Sequence, residues 1–243
     1  MRREICGIPY DDITAREIGS VIEVMLQEAR SHVIYYCNAE TVVRGQRDAH
    51  FLEALSRADC IFPDGMGLKL FCAWGDARIR ERVAGIDVLY AACERAAHMG
   101  KRVFLFGAEK DVVERAAIIL REKFPALSIT GALDGYNGIM QWKESDALKN
   151  ADMVIVGMGT PKQEEWIDTH RADLPRMRVA LAVGGAFDMI AGKTPRAPAR
   201  MRAWGFEWLW RLCREPRRWR RIINAVILFP IQAIAWHLKE KNT

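Results

Sequence analysis

Residues 102–159 read RVFLFGAEKDVVERAAIILREKFPALSITGALDGYNGIMQWKESDALKNADMVIVGMG. Residues 102–107 form a short apolar run that ends on glycine, the pattern of a strand buried on both faces. Residues 108–124 place apolar side chains at three- and four-residue steps, which predicts an amphipathic helix. Residues 127–135 predict a second strand, a short helix ends over 146–150, and residues 152–159 predict a third strand. Strands that alternate with helices in this way form a parallel sheet, because parallel neighbours need a long crossover and the crossover is usually helical.

The same alternation extends outward. Upstream, a helix over 13–30 follows a cap at Asp11 or Asp12, and a strand begins at His32 and ends near Asn38. A helix over 41–58 comes next, then a strand and turn over 60–65, a helix opening at Met66, and a helix over 87–99. Downstream, residues 161–174 predict a helix and residues 178–187 a strand. The fold class is α/β, a Rossmann-like, mainly parallel sheet with helices on both faces. From Ala199 the pattern becomes helical throughout, with Pro216 and Pro230 as breaks or kinks. These readings divide the chain into a catalytic body, 1–195, and a basic, Trp-rich helical appendage, 196–243. That division predicts that truncation after Pro198 leaves a folded, more soluble body.

The formal charge of +5 over 243 residues averages two unlike regions. Residues 1–192 carry 24 basic and 28 acidic side chains, whereas residues 193–221 carry 10 basic and 2 acidic ones. A mildly acidic body followed by a strongly basic segment points to an anionic partner near the C-terminus. Arg211, Arg214, Arg218 and Arg221 recur at helical spacing and share one face. Five of the eight tryptophans stand at 204, 208, 210, 219 and 236. Arginine and tryptophan beside the uncharged stretch 222–238 fit an interfacial helix on an anionic membrane better than nucleic acid. That stretch holds Asn224, Pro230, Gln232 and His237, so a full span is disfavoured. The N-terminus lacks the apolar core of a signal peptide. The six cysteines include no CxxC pair, which suits a reducing compartment and neither a zinc site nor a disulfide framework.

Parallel sheets bind ligands at the carboxyl ends of their strands, where helix N-termini favour anions. Five positions fit: Asn38-Ala39-Glu40, Pro63-Asp64-Gly65, Gly107-Ala108-Glu109, Gly157-Met158-Gly159-Thr160 and Gly184-Gly185. Gly157-x-Gly159 lacks the third glycine of a dinucleotide fingerprint, since Lys162 stands there. Gly192-Lys193-Thr194 has the ending of a Walker A loop, but Phe187 occupies its first glycine position. No DxD pair is present to hold a metal on a sugar diphosphate. Asp64, at a strand end beside a glycine, is placed to take a proton, although Asp-Gly also favours a plain turn. Gln163, in the first turn of a helix, has an amide suited to a hydroxylated substrate.

Taken together, these motifs resemble the WecG/TagA/CpsF family of bacterial glycosyltransferases. The resemblance covers almost the whole chain. It rests on Asn38-Ala39-Glu40, Ile61-Phe62-Pro63-Asp64-Gly65, Glu81-Arg82-Val83-Ala84-Gly85-Ile86-Asp87, Phe106-Gly107-Ala108, Gly135-Tyr136 and Gly157-Met158-Gly159-Thr160-Pro161-Lys162-Gln163-Glu164. It continues through Gly184-Gly185-Ala186-Phe187-Asp188, Arg196-Ala197-Pro198, residues 205–212 and Glu215-Pro216-Arg217-Arg218. It implies a UDP-sugar donor carrying N-acetylmannosamine, its uronic acid or glucose. It also implies a polyprenyl-diphosphate-linked sugar acceptor, and a place on the inner face of the cell membrane, peripheral and cytoplasmic.

By resemblance, Asp64 is the catalytic base and Asn38 and Gln163 contact substrate. Donor contacts fall on Gly107, Ala108, Tyr136, Gly157, Gly159, Thr160, Gly185, Phe187 and Asp188. Diphosphate or membrane contacts fall on Arg82, Arg211, Arg217 and Arg218. Members often have Thr-Pro-Asn-Pro-Glu where this chain has Tyr36-Cys37-Asn38-Ala39-Glu40. The expected reaction is an inverting, metal-independent transfer without cofactor or nucleic acid. Another nucleotide-dependent Rossmann enzyme and a non-catalytic membrane adaptor are the alternatives.

Overall fold

Successive residues of a strand face opposite ways, and that parity divides the core in two. Val33, Tyr35 and Cys37 join one buried cluster with Phe104, Phe106, Val154, Val156, Ala180 and Ala182. Ile34, Tyr36, Val103, Leu105, Met153, Ile155, Val179 and Leu181 join the other. The strands buried on both faces therefore need apolar residues at nearly all positions, which is why these segments read as unbroken apolar runs. The computed structural model describes residues 2–72, 79–198, 200–201, 204–214, 216 and 219–240, without the side chains of 211, 220, 221 and 240.

The strands are β1 (Arg2–Ile5), β2 (Ile8–Asp11), β3 (His32–Cys37), β4 (Cys60–Pro63), β5 (Arg102–Gly107), β6 (Ser128–Leu133), β7 (Met153–Gly157) and β8 (Val179–Ala182). Six of them form one sheet in the order β4-β3-β8-β7-β5-β6. All its pairings are parallel, as the sequence predicts. β1 and β2 form a separate antiparallel hairpin that the sequence reading did not contain. Its two-residue turn is Cys6-Gly7, both with positive φ, a geometry usually announced by Asn-Gly.

The helices of the body are α1 (Ala15–Gln27), α2 (Ala39–Gly45), α3 (Ala49–Ser56), α4 (Met66–Cys72), α5 (Gly85–His98), α6 (Lys110–Lys123), α7 (Gly138–Gln141), α8 (Asp146–Lys149), α9 (Lys162–His170) and α10 (Ala186–Ile190). The single helix predicted over 41–58 is two helices. Asp48 caps α3 by accepting from the Phe51 N–H at 3.0 Å, so the chain restarts there. The strand predicted over 178–187 stops at Ala182, because Gly184 and Gly185 turn the chain into α10.

The C-terminal helices are α11 (Glu207–Arg214), α12 (Trp219–Ile223) and α13 (Phe229–Glu240), with a π-turn over Asn224–Leu228 joining the last two. The helix break expected at Pro216 falls between α11 and α12. Pro230 does not break the helix. It follows the π-turn, whose widened spacing displaces the carbonyl that its ring would otherwise strike. Phe229 and Ala233 are fully buried in the body's core cluster, and the Phe229 ring meets Phe71 edge-on at 5.7 Å. No helix among the described residues is long and apolar enough to cross a membrane.

Candidate functional site

The strand order sets four carboxyl ends side by side, those of β4, β3, β8 and β7. A cavity of about 960 Å³ opens over them. Each strand delivers residues to it: β4 Asp64, β3 Asn38, β8 Gly184 and Gly185, and β7 Gly159, Thr160 and Gln163. Arg82 joins from the loop before α5. Trp204, Phe206, Trp208, Val226 and Ile234 supply an apolar wall from the C-terminal segment. The cavity thus combines polar groups at the strand ends with apolar side chains from α4 and the C-terminal segment.

Asp64 directly follows β4, and its N–H donates to the Cys37 carbonyl at 2.8 Å. This bond ties the loop to the end of β3. Gly65 takes φ +103, which leads the chain away into α4 and leaves Asp64 on the cavity wall. Tyr36 lies beside it. Burial, and then the charge of Asp64, hold the Tyr36 hydroxyl well above its ordinary pKa, so it stays a neutral donor. That hydroxyl donates to the Gly85 carbonyl at 3.4 Å.

Asn38 is the N-cap of α2, its side-chain oxygen accepting from the Thr41 N–H at 3.0 Å. That oxygen already accepts one bond, and the Nδ2 hydrogens can be offered to a ligand. Gln163 is more fully engaged than the sequence suggests. It is buried, and its Oε1 accepts from the Gly159 N–H at 3.2 Å and the Gly184 N–H at 2.9 Å. Its Nε2 donates to Glu164 at 2.8 Å. One amide thus braces the loops after β7 and β8. Arg82 forms an ion pair with Glu207 of α11 at 3.2 Å, joining the body to the C-terminal helices. Arg196 pairs with Asp87 in the first turn of α5 at 2.7 Å.

Gly107, Ala108, Tyr136, Gly157, Phe187 and Asp188 do not line this cavity. The family resemblance suggested them; Gly107, Ala108 and Tyr136 follow β5 and β6, which lie beyond β7 in the sheet. Gly107 and Gly157 are packing glycines: a Cβ on Gly107 would lie 2.5 Å from the Gly157 backbone, and one on Gly157 would lie 2.6 Å from the Phe187 ring. Phe187 is fully buried in the core. Ala108 accepts from the Gly135 N–H at 2.9 Å, and Asp188 from the Thr194 N–H at 3.1 Å, each through its backbone carbonyl. Tyr136 is exposed and lines a separate depression of about 500 Å³ with Lys162, Glu165 and Trp166. Arg217, Arg218 and the Arg211 side chain lie outside the described residues.

Glu164 was not singled out from sequence as a functional residue. It is buried, lines the cavity, and accepts at Oε1 from the Thr160 hydroxyl at 3.0 Å as well as from Gln163. Burial pushes its carboxyl up to about 7. Its neighbours in sequence gave no hint, because a glutamate in a first helical turn is ordinarily a solvated partner of the helix dipole. Among the described residues no group of three or more His, Cys, Asp or Glu side chains is arranged to hold a metal ion.

The model of the glycosyl transferase WecG/TagA/CpsF family matches residues 3–243. A relative from Bacillus subtilis (strain 168), named N-acetylglucosaminyldiphosphoundecaprenol N-acetyl-beta-D-mannosaminyltransferase, is 34% identical over 98% of this chain and 92% of its own length. A relative of the same name from Bacillus spizizenii (strain ATCC 23059 / NRRL B-14472 / W23) is 32% identical over 82% of this chain and 77% of its own. Another from Staphylococcus aureus (strain MW2) is 28% identical over 90% and 86%. With the family model and a relative above 30% identity both spanning nearly the whole parallel sheet, its cavity and the helices that wall it, the chain belongs to the WecG/TagA/CpsF family of glycosyl transferases.

Proposed function

We propose that this enzyme transfers N-acetylmannosamine from a UDP-linked donor to a polyprenyl-diphosphate-linked N-acetylglucosamine, with inversion at the anomeric carbon. The observation that carries this reading is the mixed lining of the cavity. Asp64, Asn38 and Gln163 supply polar groups to it, and indole and aliphatic side chains supply apolar surface. A sugar diphosphate attached to a lipid presents both kinds of surface. The names of the relatives supply the sugars.

In this mechanism the Asp64 carboxylate takes the proton of the acceptor hydroxyl as its oxygen attacks the anomeric carbon. The bond from that carbon to the UDP oxygen breaks on the opposite face, and the electron pair leaves with UDP. Positive charge develops on the sugar as in other glycosyl chemistry. Arg82 and the basic C-terminal helices stabilise the diphosphate charge, so no metal is required. Arg82 reaches this role by exchanging Glu207 for phosphate. The exposed apolar side chains of α13 rest on the membrane surface that presents the acceptor.

The test is UDP release from UDP-N-acetylmannosamine in the presence of a polyprenyl-diphosphate N-acetylglucosamine, with the product anomer read by NMR. Release that requires the acceptor and gives the inverted linkage supports the reading. A retained linkage, or no release, overturns it. Activity abolished by EDTA and restored by Mg²⁺ removes the metal-free part alone.

A further inference from the structure

Glu164 combines features that an ordinary helix-terminal glutamate lacks. It is 2% exposed, yet it sits on the cavity wall. Its Oε1 receives two donors, the Thr160 hydroxyl and the Gln163 amide, while its Oε2 is buried with no hydrogen-bond partner. An unpartnered carboxylate oxygen buried away from water is costly.

What the carboxyl does determine is the direction of the Gln163 amide. A primary amide has two faces of similar shape, one donating and one accepting. Oε1 of Glu164 accepts from Nε2, so the amide oxygen must point the other way, onto the Gly159 and Gly184 N–H groups. We propose that Glu164 is a positioning residue, orienting the Gln163 amide and through it holding the loops after β7 and β8 in the geometry that binds the sugar nucleotide. The inference rests on the transferase reading for its substrate.

Ionisation makes the device testable. Charged, Oε1 accepts two charge-assisted hydrogen bonds; protonated, the carboxyl holds both donors less strongly. Burial places this change near neutrality, at about 7. Titratable and charged groups around it include Glu165 and Asp168 on α9, Arg171 just beyond it, and Tyr35 on β3, whose hydroxyl donates to the Glu164 carbonyl at 3.1 Å. Across the cavity stand Glu40, Asp64, Arg82, Arg196 and Glu207. Below its transition Glu164 stays buried but holds the two donors less strongly, so the Gln163 amide is less firmly oriented and substrate binds less well.

The experiment compares wild type with E164Q in kcat/KM between pH 5.5 and 8.5, and reads backbone hydrogen exchange at Gly159 and Gly184. Wild type is expected to lose activity as pH falls through about 7. E164Q, which keeps an acceptor but no charge, is expected to run about tenfold lower at pH 8 and to lack that step. Protection factors at Gly159 and Gly184 are expected to fall with pH in wild type alone. An E164Q profile with the same step, or protection at both glycines that is indifferent to pH in wild type, overturns the proposal. The exchange measurement needs neither substrate nor a folded variant. A wild type that transfers no sugar therefore counts against the transferase reading, and leaves the exchange result to decide the positioning role.

Discussion

At the scale of single residues, Asp64 and Glu164 show how environment assigns roles to like groups. Asp64 is half-buried on the cavity wall, whereas Glu164 is enclosed. Asp64→Asn removes the base and keeps the shape. It is expected to lower turnover by ~100- to 10,000-fold, with UDP affinity unchanged by calorimetry. Glu164 also predicts a pH effect on stability of unusual sign. Its folded pKa of about 7 exceeds its ordinary value of 4.5, so the folded state holds this proton longer than the unfolded chain. Its contribution to stability therefore falls as pH rises from 4.5 through 7. E164Q is expected to melt above wild type at pH 8, and the gap is expected to close at pH 4.5, as thermal denaturation at the two pH values will read. A variant that is more stable and less active separates a positioning role from simple support of the fold. Gly157 belongs to the other class. Gly157→Ala drives a methyl into the Phe187 ring and is expected to cost ~1–3 kcal/mol in urea unfolding.

At the scale of elements, the C-terminal helix carries two apolar faces. Ala225, Phe229, Ala233 and Trp236 recur at helical spacing and pack on the body. Ile223, Ile227, Ile231, Ile234 and Leu238 occupy the opposite face and are exposed. Phe229→Ala removes a fully buried ring and is expected to cost ~3–5 kcal/mol. The double change Ile227→Asp with Ile231→Asp falls on the exposed face, where substitutions stay within about 0.5 kcal/mol. It is expected to leave the melting temperature unchanged while abolishing co-sedimentation with anionic vesicles; undiminished co-sedimentation would remove this face from membrane contact. The sequence shows the helix and its lack of charge. It does not show which apolar face is covered, because both repeat with the same period.

At the scale of the whole molecule, burial of Phe229 and Ala233 reverses one expectation. Truncation after Pro198 uncovers apolar surface at α2 and α4, so the remaining body is expected to melt lower and to aggregate. A truncated body that melts as wild type does would show that these helices are dispensable to the fold. The parallel sheet was legible in the sequence because each buried strand needs its own apolar run and each crossover its own helix, and both are local patterns. The positions of Asn38, Asp64 and Gln163 at strand ends were legible for the same reason. Strand order was not, since hydrogen bonding between β3 and β8 joins residues about 150 positions apart and leaves no local trace. That order alone brings β4, β3, β8 and β7 around one cavity, moves Gly107 and Tyr136 away from it, and sets a buried glutamate behind the glutamine that the sequence had picked out. Local periodicity, helix caps and chain stiffness determined the elements from sequence; which strand ends meet, and which carboxyl loses its water, only the tertiary packing decided, because neighbours in space rather than in sequence supply desolvation and hydrogen bonds.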